Sequence, residues 1–201
     1  MHNIEPYFNW RNLYTAEEDE RSPFYGREYS EMYFTDSIYD HYIHPQWDNI
    51  GSTTLFIKLL FADYDDSYAV LELFGEWNDT LHNDVMTLKR DFIDHLIDEG
   101  ISKFILIGDN VLNFHSSDDS YYEEWFEDIE DGWVVLLNFR EHVLRDFSET
   151  GIDNYFIFGG PLNEMEWGSF RPLQLYQKIE AVVERRFDTG YLLDEDRGEE
   201  D

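Results

Sequence analysis

The chain contains no cysteine, which excludes disulfide bonds, thiolate metal sites and cysteine nucleophiles. It also lacks any apolar run that approaches the ~20 residues needed for a bilayer-spanning helix. The first ten residues are acidic and aromatic, without the basic segment and apolar run of a signal peptide. We therefore expect a cytoplasmic protein that does not enter a membrane.

Positive charge is scarce. The 14 lysine and arginine residues face 45 aspartate and glutamate residues, which gives a formal net charge of −31 over 201 residues. Such a field repels phosphate backbones and anionic lipids, so it argues against nucleic-acid and membrane partners. Basic proteins or multivalent cations fit it better, while solubility alone or a high-salt habitat is the simpler explanation.

Aromatic residues, by contrast, are abundant, at 18% of the chain, and that much ring surface favours a packed body or an adhesive face. Residues 1–51 interleave rings with acids and show no clear period. We interpret them as an extension that packs on a main domain at 52–190. Residues 191–201 are expected to form a disordered acidic tail.

From residue 52 onward, apolar runs of strand length alternate with amphipathic helical stripes. Strands are predicted at Thr54–Phe61, Tyr68–Phe74, Lys103–Ile107, Trp133–Leu137 and Tyr155–Phe158. Helices are predicted from an N-cap at Asn83 to Gly100, over Asp118–Ile129, over Arg140–Phe147 and from Pro172 onward. The β-β-α-β-α-β-α-β-α order predicts an α/β fold: a mostly parallel sheet with an antiparallel N-terminal hairpin and helices on both faces.

This order resembles that of the STAS domain, the fold of bacterial anti-sigma-factor antagonists and SpoIIAA-like proteins, over about residues 52–187. The stretch from Asn110 to Asp118 reads NVLNFHSSD, where the family has N-V-x-F-x-D-S-S-G before a helix. His115 and Asp118 stand where the family has aspartate and glycine, and one residue is inserted. The resemblance implies a regulatory protein whose partner binding switches when a serine here, Ser116 or Ser117, accepts phosphate.

The same loop also has a purely structural interpretation. Serine and aspartate are the preferred residues at helix N-termini. Ser117 or Asp118 would then be the N-cap, with Glu123 or Glu124 completing a capping box.

Polar residues follow the predicted strands at the edge where open α/β sheets bind ligands. We expect any ligand or partner rim to include Trp77, Asn78, Asp79, Asp109, Asn110, His115 and Arg140, with Asn138 and the Gly159–Gly160 pair on the same edge. Ordinary loop polarity is the alternative. The sequence contains no dinucleotide-binding, P-loop or nucleophile-elbow motif.

Four tryptophans, Trp10, Trp47, Trp77 and Trp167, lie outside the predicted strands and helix stripes. They either anchor an interface or pack the extension on the domain. His41 and His44 would hold zinc only with a third ligand that the spacing does not supply, so we expect no metal and no cofactor.

Three functions remain open at this point. The first is a non-enzymatic binding or regulatory protein that switches partners or self-associates. The alternative is a small carboxylate-dependent hydrolase, with or without a divalent metal, that uses Asp79, Asp109 and His82 or His115. The third is a salt-adapted protein without a specific ligand.

Overall fold

The computed structural model describes residues 2–30 and 37–195, with side chains described for residues 4–30 and 37–188. Within them, a small sheet consists of β1 (His2–Ile4), β2 (Ser37–Ile38) and β3 (His41–Ile43), in the spatial order β1-β3-β2. The main sheet consists of β4 (Leu55–Asp63), β5 (Tyr68–Asn78), β6 (Lys103–His115) and β7 (Trp133–Leu137), in that spatial order. Strands β4 and β5 pair antiparallel, and β5, β6 and β7 pair parallel.

The helices of the described part are α1 (Asp79–His82), α2 (Asp84–Leu88), α3 (Asp94–Asp98), α4 (Ser120–Asp128), α5 (Glu141–Thr150) and α6 (Pro172–Glu195). A π-helical turn, Lys89–Ile93, joins α2 to α3 without a break. The apolar sides of α2 to α5 cover one face of the main sheet. Helix α6 covers much of the other face, together with Trp10 and Trp167. The predicted α/β class, with its antiparallel hairpin and covered sheet, is therefore confirmed.

The hairpin and the parallel strands follow directly from the sequence. At the β4–β5 turn the Asp63 carboxylate accepts hydrogen bonds from the amides of Asp65 and Asp66, and Ser67 takes a left-handed φ of 57°. All five residues of β7 are buried, as expected for a parallel strand covered on both faces. Gly108 lets the ring of Phe139 lie against the β6 backbone, where a Cβ atom would come within 2.2 Å of that ring.

The predicted strand at Tyr155–Phe158 is wrong in all but one residue. Tyr155 ends a 3₁₀ turn, Ile152–Tyr155, and Gly159 turns the backbone with a φ of 92°. The extended part between them is too short for a full strand. Only Ile157 forms a bridge, parallel to Val135 of β7.

The two predicted helix caps differ in outcome. Asn83 is the N-cap of α2, as predicted, but it also ends α1, so it adopts a left-handed φ of 51° and makes no side-chain cap bond. The N-cap of α4 is Asp119 rather than Ser117 or Asp118. The Asp118 carboxylate instead accepts a hydrogen bond from the backbone amide of Ser120, two residues later, at 3.2 Å.

Hydrogen bonds join the N-terminal segment to the residues just before α6. The Tyr7 hydroxyl donates to the Gly168 carbonyl at 2.7 Å, and the Trp10 indole donates to the Phe170 carbonyl at 3.0 Å. The domain limits at residues 51 and 190 stay a prediction. Helix α6 continues to Glu195, and the rest of the predicted tail, 196–201, lies outside the described residues.

Within the described ranges, no helix combines the length and the apolarity needed to cross a bilayer.

Gly132 allows a close backbone approach at the start of β7. A Cβ atom there would lie 1.9 Å from the Ser102 carbonyl oxygen and 2.9 Å from that of Ile129, and neither backbone atom can rotate away. We expect Gly132→Ala to lower the free energy of unfolding by about 3 kcal/mol, measured by urea denaturation. The neighbouring exposed-site variant Asp131→Ala is the control, and equal losses in the two variants would contradict this packing argument.

Candidate functional site

Five polar side chains lie together at the carboxyl ends of β5 and β6, in a group that we call the β5–β6 rim: Tyr39, Glu76, Asn78, Asn113 and His115. Glu76 is its centre, because one carboxylate oxygen lies 2.8 Å from His115 Nε2 and the other accepts the Tyr39 hydroxyl at 2.6 Å. The amide of Asn78 donates to Glu76 at 3.1 Å, and that of Asn113 donates to Tyr39 at 3.4 Å. Strand register assembles the group, since Glu76 lies opposite Asn113 and Asn78 opposite His115.

Two apolar side chains are exposed at the rim. Tyr39 of the rim is 60% exposed at the tip between β2 and β3, and Leu81, whose backbone amide donates to the Asn78 side chain at 3.0 Å, is 75% exposed on α1. The Thr80 hydroxyl donates to the Ser116 carbonyl at 2.6 Å, which ties α1 to the loop after β6. A framed surface with projecting aromatic and aliphatic groups has the composition of a protein-binding site.

Asp79, which the sequence assigned to the rim, lies beneath it and is 3% exposed. Its Oδ1 accepts hydrogen bonds from the Trp77 indole at 3.2 Å and the Val85 amide at 2.8 Å, and its Oδ2 accepts the Tyr122 hydroxyl at 2.5 Å. Burial raises the pKa of the Asp79 carboxyl to about 6, against the lowering effect of these hydrogen bonds. Asp79 therefore joins β5, α2 and α4 from the inside.

Asp84 is buried beside it with no exposed surface. Its Oδ2 accepts hydrogen bonds from the Thr54 hydroxyl and from the backbone amide of Asn78, each at 2.8 Å. The chain folds this way because α1 and α2 begin beside the strand ends, where their free amides require acceptors. Since neither Asp79 nor Asp84 reaches the surface, neither is placed to exchange a proton with a substrate on the rim.

Asp109 and Asn110 do not join the rim. They lie within β6, which continues to His115, because β5 also continues to Asn78 and pairs with it. Asp109 accepts the Trp167 indole at 2.8 Å and the Asn138 amide at 3.2 Å. The predicted edge is therefore divided into two separate groups.

The second group contains a buried carboxylate that the sequence analysis missed. Glu72 is 5% exposed in the middle of β5 and accepts the Tyr7 backbone amide at 2.7 Å and the Asn110 side chain at 3.4 Å. Burial raises the pKa of the Glu72 carboxyl to about 7, and the Asp109 carboxylate adds to the rise. A single glutamate within an apolar strand was the available signal, since burial of that run was already expected.

Lys58, directly opposite Glu72 on β4, does not neutralise it. Its ammonium lies 3.4 Å from the buried Asp48 carboxylate and 3.9 Å from the centre of the Tyr29 ring. Burial lowers the pKa of Lys58, although Asp48 partly opposes the change. This pair joins the N-terminal segment to the sheet edge.

The remaining predicted residues lie further out. Arg140 is exposed just before α5 and His82 is exposed on α1. Ser116 is half-buried, whereas Ser117 is exposed and its hydroxyl makes no hydrogen bond within the described residues. Of the residues that the sequence predicted for the rim, Asn78 and His115 belong to the observed β5–β6 rim. Ser117 lies at its margin, two residues after His115.

The four tryptophans outside the predicted stripes are all buried: Trp10, Trp47, Trp77 and Trp167. Trp77 belongs to β5 and has no exposed surface, so its ring is not available to a partner. Trp10 and Trp167 contact each other with ring centres 5.8 Å apart. Trp10 and Trp47 of the N-terminal segment are thus buried, and so are Trp77 and Trp167 of the rest of the chain.

The two histidines considered for zinc are part of the small sheet and its neighbourhood. His41 packs its ring against Phe74, and His44 Nε2 lies 3.7 Å from the Glu5 carboxylate. Among the residues that the structure describes, no three histidine or acidic side chains are grouped to hold a metal ion.

No protein-family model and no curated protein matches the chain. Among solved structures, it is similar to the unphosphorylated form of the anti-sigma factor antagonist SpoIIAA, with 20% identity and a TM-score of 0.42 over 52% of this chain and 88% of that chain. It is also similar to the phosphorylated form of the Bacillus cell fate determinant SpoIIAA, with 19% identity and a TM-score of 0.37 over 52% and 91%. SpoIIAA belongs to the family that the order of elements resembles. This likeness is distant, and it assigns no ligand or partner to this chain.

The raised pKa of Asp79 predicts a measurable pH dependence of stability. The folded protein keeps the Asp79 proton up to about pH 6, whereas the unfolded chain releases it near pH 4, so this group reduces stability as pH rises between the two values. Asp79→Asn removes the effect. The free energy of unfolding of the variant relative to wild type should therefore rise by on the order of 2 kcal/mol from pH 4 to pH 7.

Urea denaturation at several pH values measures this difference. Glu127→Gln, at an exposed position of α4, is the control for the loss of one negative charge. A difference between Asp79→Asn and wild type that stays constant over this range would show that Asp79 is not held in a desolvated site.

Proposed function

We propose that this chain is a non-enzymatic regulatory protein that binds a basic protein partner through the β5–β6 rim. The supporting observation is the combination of exposed Tyr39 and Leu81 around the Glu76–His115 pair, whose carboxylate and imidazole lie 2.8 Å apart. The Tyr39 hydroxyl is already hydrogen-bonded to Glu76, so less side-chain freedom is lost when a partner covers the Tyr39 ring. The net charge of −31 favours a partner of opposite sign.

The inner carboxylates support binding rather than catalysis. A general acid or base must reach the proton that it transfers. Asp79 uses both oxygens inside the protein, and the Asp84 carboxylate is covered by β5 and the Thr54 hydroxyl. Asp79, one of the two carboxylates that the hydrolase alternative requires, is thus part of the packing beneath the rim.

We also propose that the protein is cytoplasmic.

Within the loop after β6, we propose Ser117 rather than Ser116 as the residue that a kinase would modify. The support for Ser117 is the exposure of its unpaired hydroxyl. Asp118 and Asp119 follow it, so a phosphate there would add to an already acidic margin of the rim. Intact mass after co-expression with candidate kinases tests this, with Ser117→Ala abolishing the added mass and Ser116→Ala retaining it; an unmodified wild type would remove the proposal.

The partner-binding surface can be tested by site-specific photo-crosslinking in cells. A photoreactive amino acid at position 81 should capture a discrete basic protein, because Leu81 projects from the rim. The same amino acid at position 173 is the matched control, since Leu173 is also exposed, at 46%, but lies on α6. Equal capture at both positions would contradict the proposal.

Capture alone is not sufficient, so the purified captured protein is then titrated against variants. Tyr39→Ser and Leu81→Ser should each weaken its binding about 10-fold, as expected for partner-contacting apolar groups. Leu173→Ser should leave the affinity unchanged. Unchanged affinity in both rim variants would exclude the rim as the binding surface.

A further inference from the structure

The segment predicted as the fifth strand leaves an open edge on the main sheet. The Ile157 amide donates to the Val134 carbonyl, and the Ile157 carbonyl accepts from the Leu136 amide, both at 2.9 Å. Successive residues of an extended segment direct their backbone groups to opposite sides. The Phe158 amide and the Phe156 carbonyl therefore point away from β7, and neither makes a hydrogen bond within the described residues.

A cleft of about 350 Å³ adjoins this open edge. It is lined by Asp153, Phe156, Ile157, Phe158, Arg186 and Phe187. Phe187 of α6 is 53% exposed although its ring borders the cleft. An unpaired donor and acceptor thus lie beside an apolar depression, which is the arrangement that accepts an added strand.

The charges around the cleft indicate the sign of its occupant. Arg186, the cation that lines it, already donates to the carbonyls of Phe158 and Gly159, each at 2.6 Å. Asp153 lines the cleft, and Tyr155 beside it donates to Asp119 at 2.9 Å. The negative charges of Glu123 and Glu127 on α4 also contribute to a raised pKa of the Tyr155 hydroxyl. The surroundings are therefore acidic.

We infer that this edge takes up an extended, positively charged peptide segment of a partner protein, which adds as a short strand beside Phe156–Phe158 and places an apolar side chain in the cleft. A second copy of the chain fits less well, since each copy carries a net charge of −31. The acidic end of the chain itself has the same disadvantage. The inference does not depend on the β5–β6 rim, because the cleft borders the opposite side of β7 from β6.

A short peptide of alternating lysine and valine is the probe, and a glutamate–valine peptide of the same length is its charge control. Backbone amide exchange measured by NMR should show slower exchange of the Phe158 amide when the lysine–valine peptide is bound. The glutamate–valine peptide should leave that exchange unchanged. No protection of Phe158 at a saturating concentration of the lysine–valine peptide would overturn the proposal.

Two comparisons separate strand addition from general attraction to an acidic protein. A lysine–valine peptide with N-methyl groups on alternate residues, which removes backbone donors and keeps the charge, should bind about 10-fold more weakly. Phe187→Ser should weaken binding of the unmodified peptide to a similar extent. Phe8→Ser should leave binding unchanged, because Phe8 lies on the N-terminal segment and does not line the cleft. Phe8 is a matched control since its exposure, 58%, is similar to that of Phe187.

Three results would overturn the inference. Equal binding of the N-methylated peptide would show that charge alone holds the probe. Equal weakening by Phe8→Ser and Phe187→Ser would show that binding is not located at the cleft. A dimer in light scattering that Phe187→Ser dissociates would assign the edge to a second copy of the chain.

Discussion

Burial of the main sheet on both faces is the constraint on which the rest of the structure depends. β7 is buried along its whole length, and the buried rows of β5 and β6 point alternately to α2–α5 and to α6. Removing this apolar area from water is the dominant favourable contribution to folding. Polar groups that enter the interior therefore require partners there, and most have one, although Asp84 Oδ1 and Trp125 Nε1 are buried without a hydrogen bond within the described residues.

Three acidic side chains show how this requirement is met. Asp79 and Asp84 accept the amides and hydroxyls that the strand ends and the short helices leave unpaired, so burial of each carboxyl accompanies a gain of several hydrogen bonds. Glu72 accepts an amide of the N-terminal segment. In a chain with so many acids, these residues differ from the others in location rather than in type. The pKa values of Asp79 and Glu72 rise because the interior disfavours the charged form of a carboxyl group.

The surface features have a different origin. Where a strand ends or lacks a neighbouring strand, its side chains and backbone groups do not have to pack or pair within the core. The β5–β6 rim forms where two strands extend past β7, which ends at Leu137 opposite Ile107. The open edge at Phe156–Phe158 forms because a turn and a glycine shorten the last extended segment. Both proposed binding surfaces therefore arise at incomplete parts of one sheet, within a strongly negative field.

Local sequence determined the order of the four main-sheet strands and of the helices that cover them, the antiparallel hairpin and the apolar helix faces, because these depend on periodicity and on turn residues within a few positions of each other. It also indicated correctly that Asn78 and His115 belong to one edge. Only the tertiary structure decided that Trp77 and Asp79 lie inside, that Asp109 and Asn110 face another group, and that Glu72 is buried with the Tyr7 amide and the Asn110 side chain as hydrogen-bond partners. Those outcomes depend on how far paired strands extend and on what the N-terminal segment covers, and such long-range pairing leaves no local pattern in the sequence.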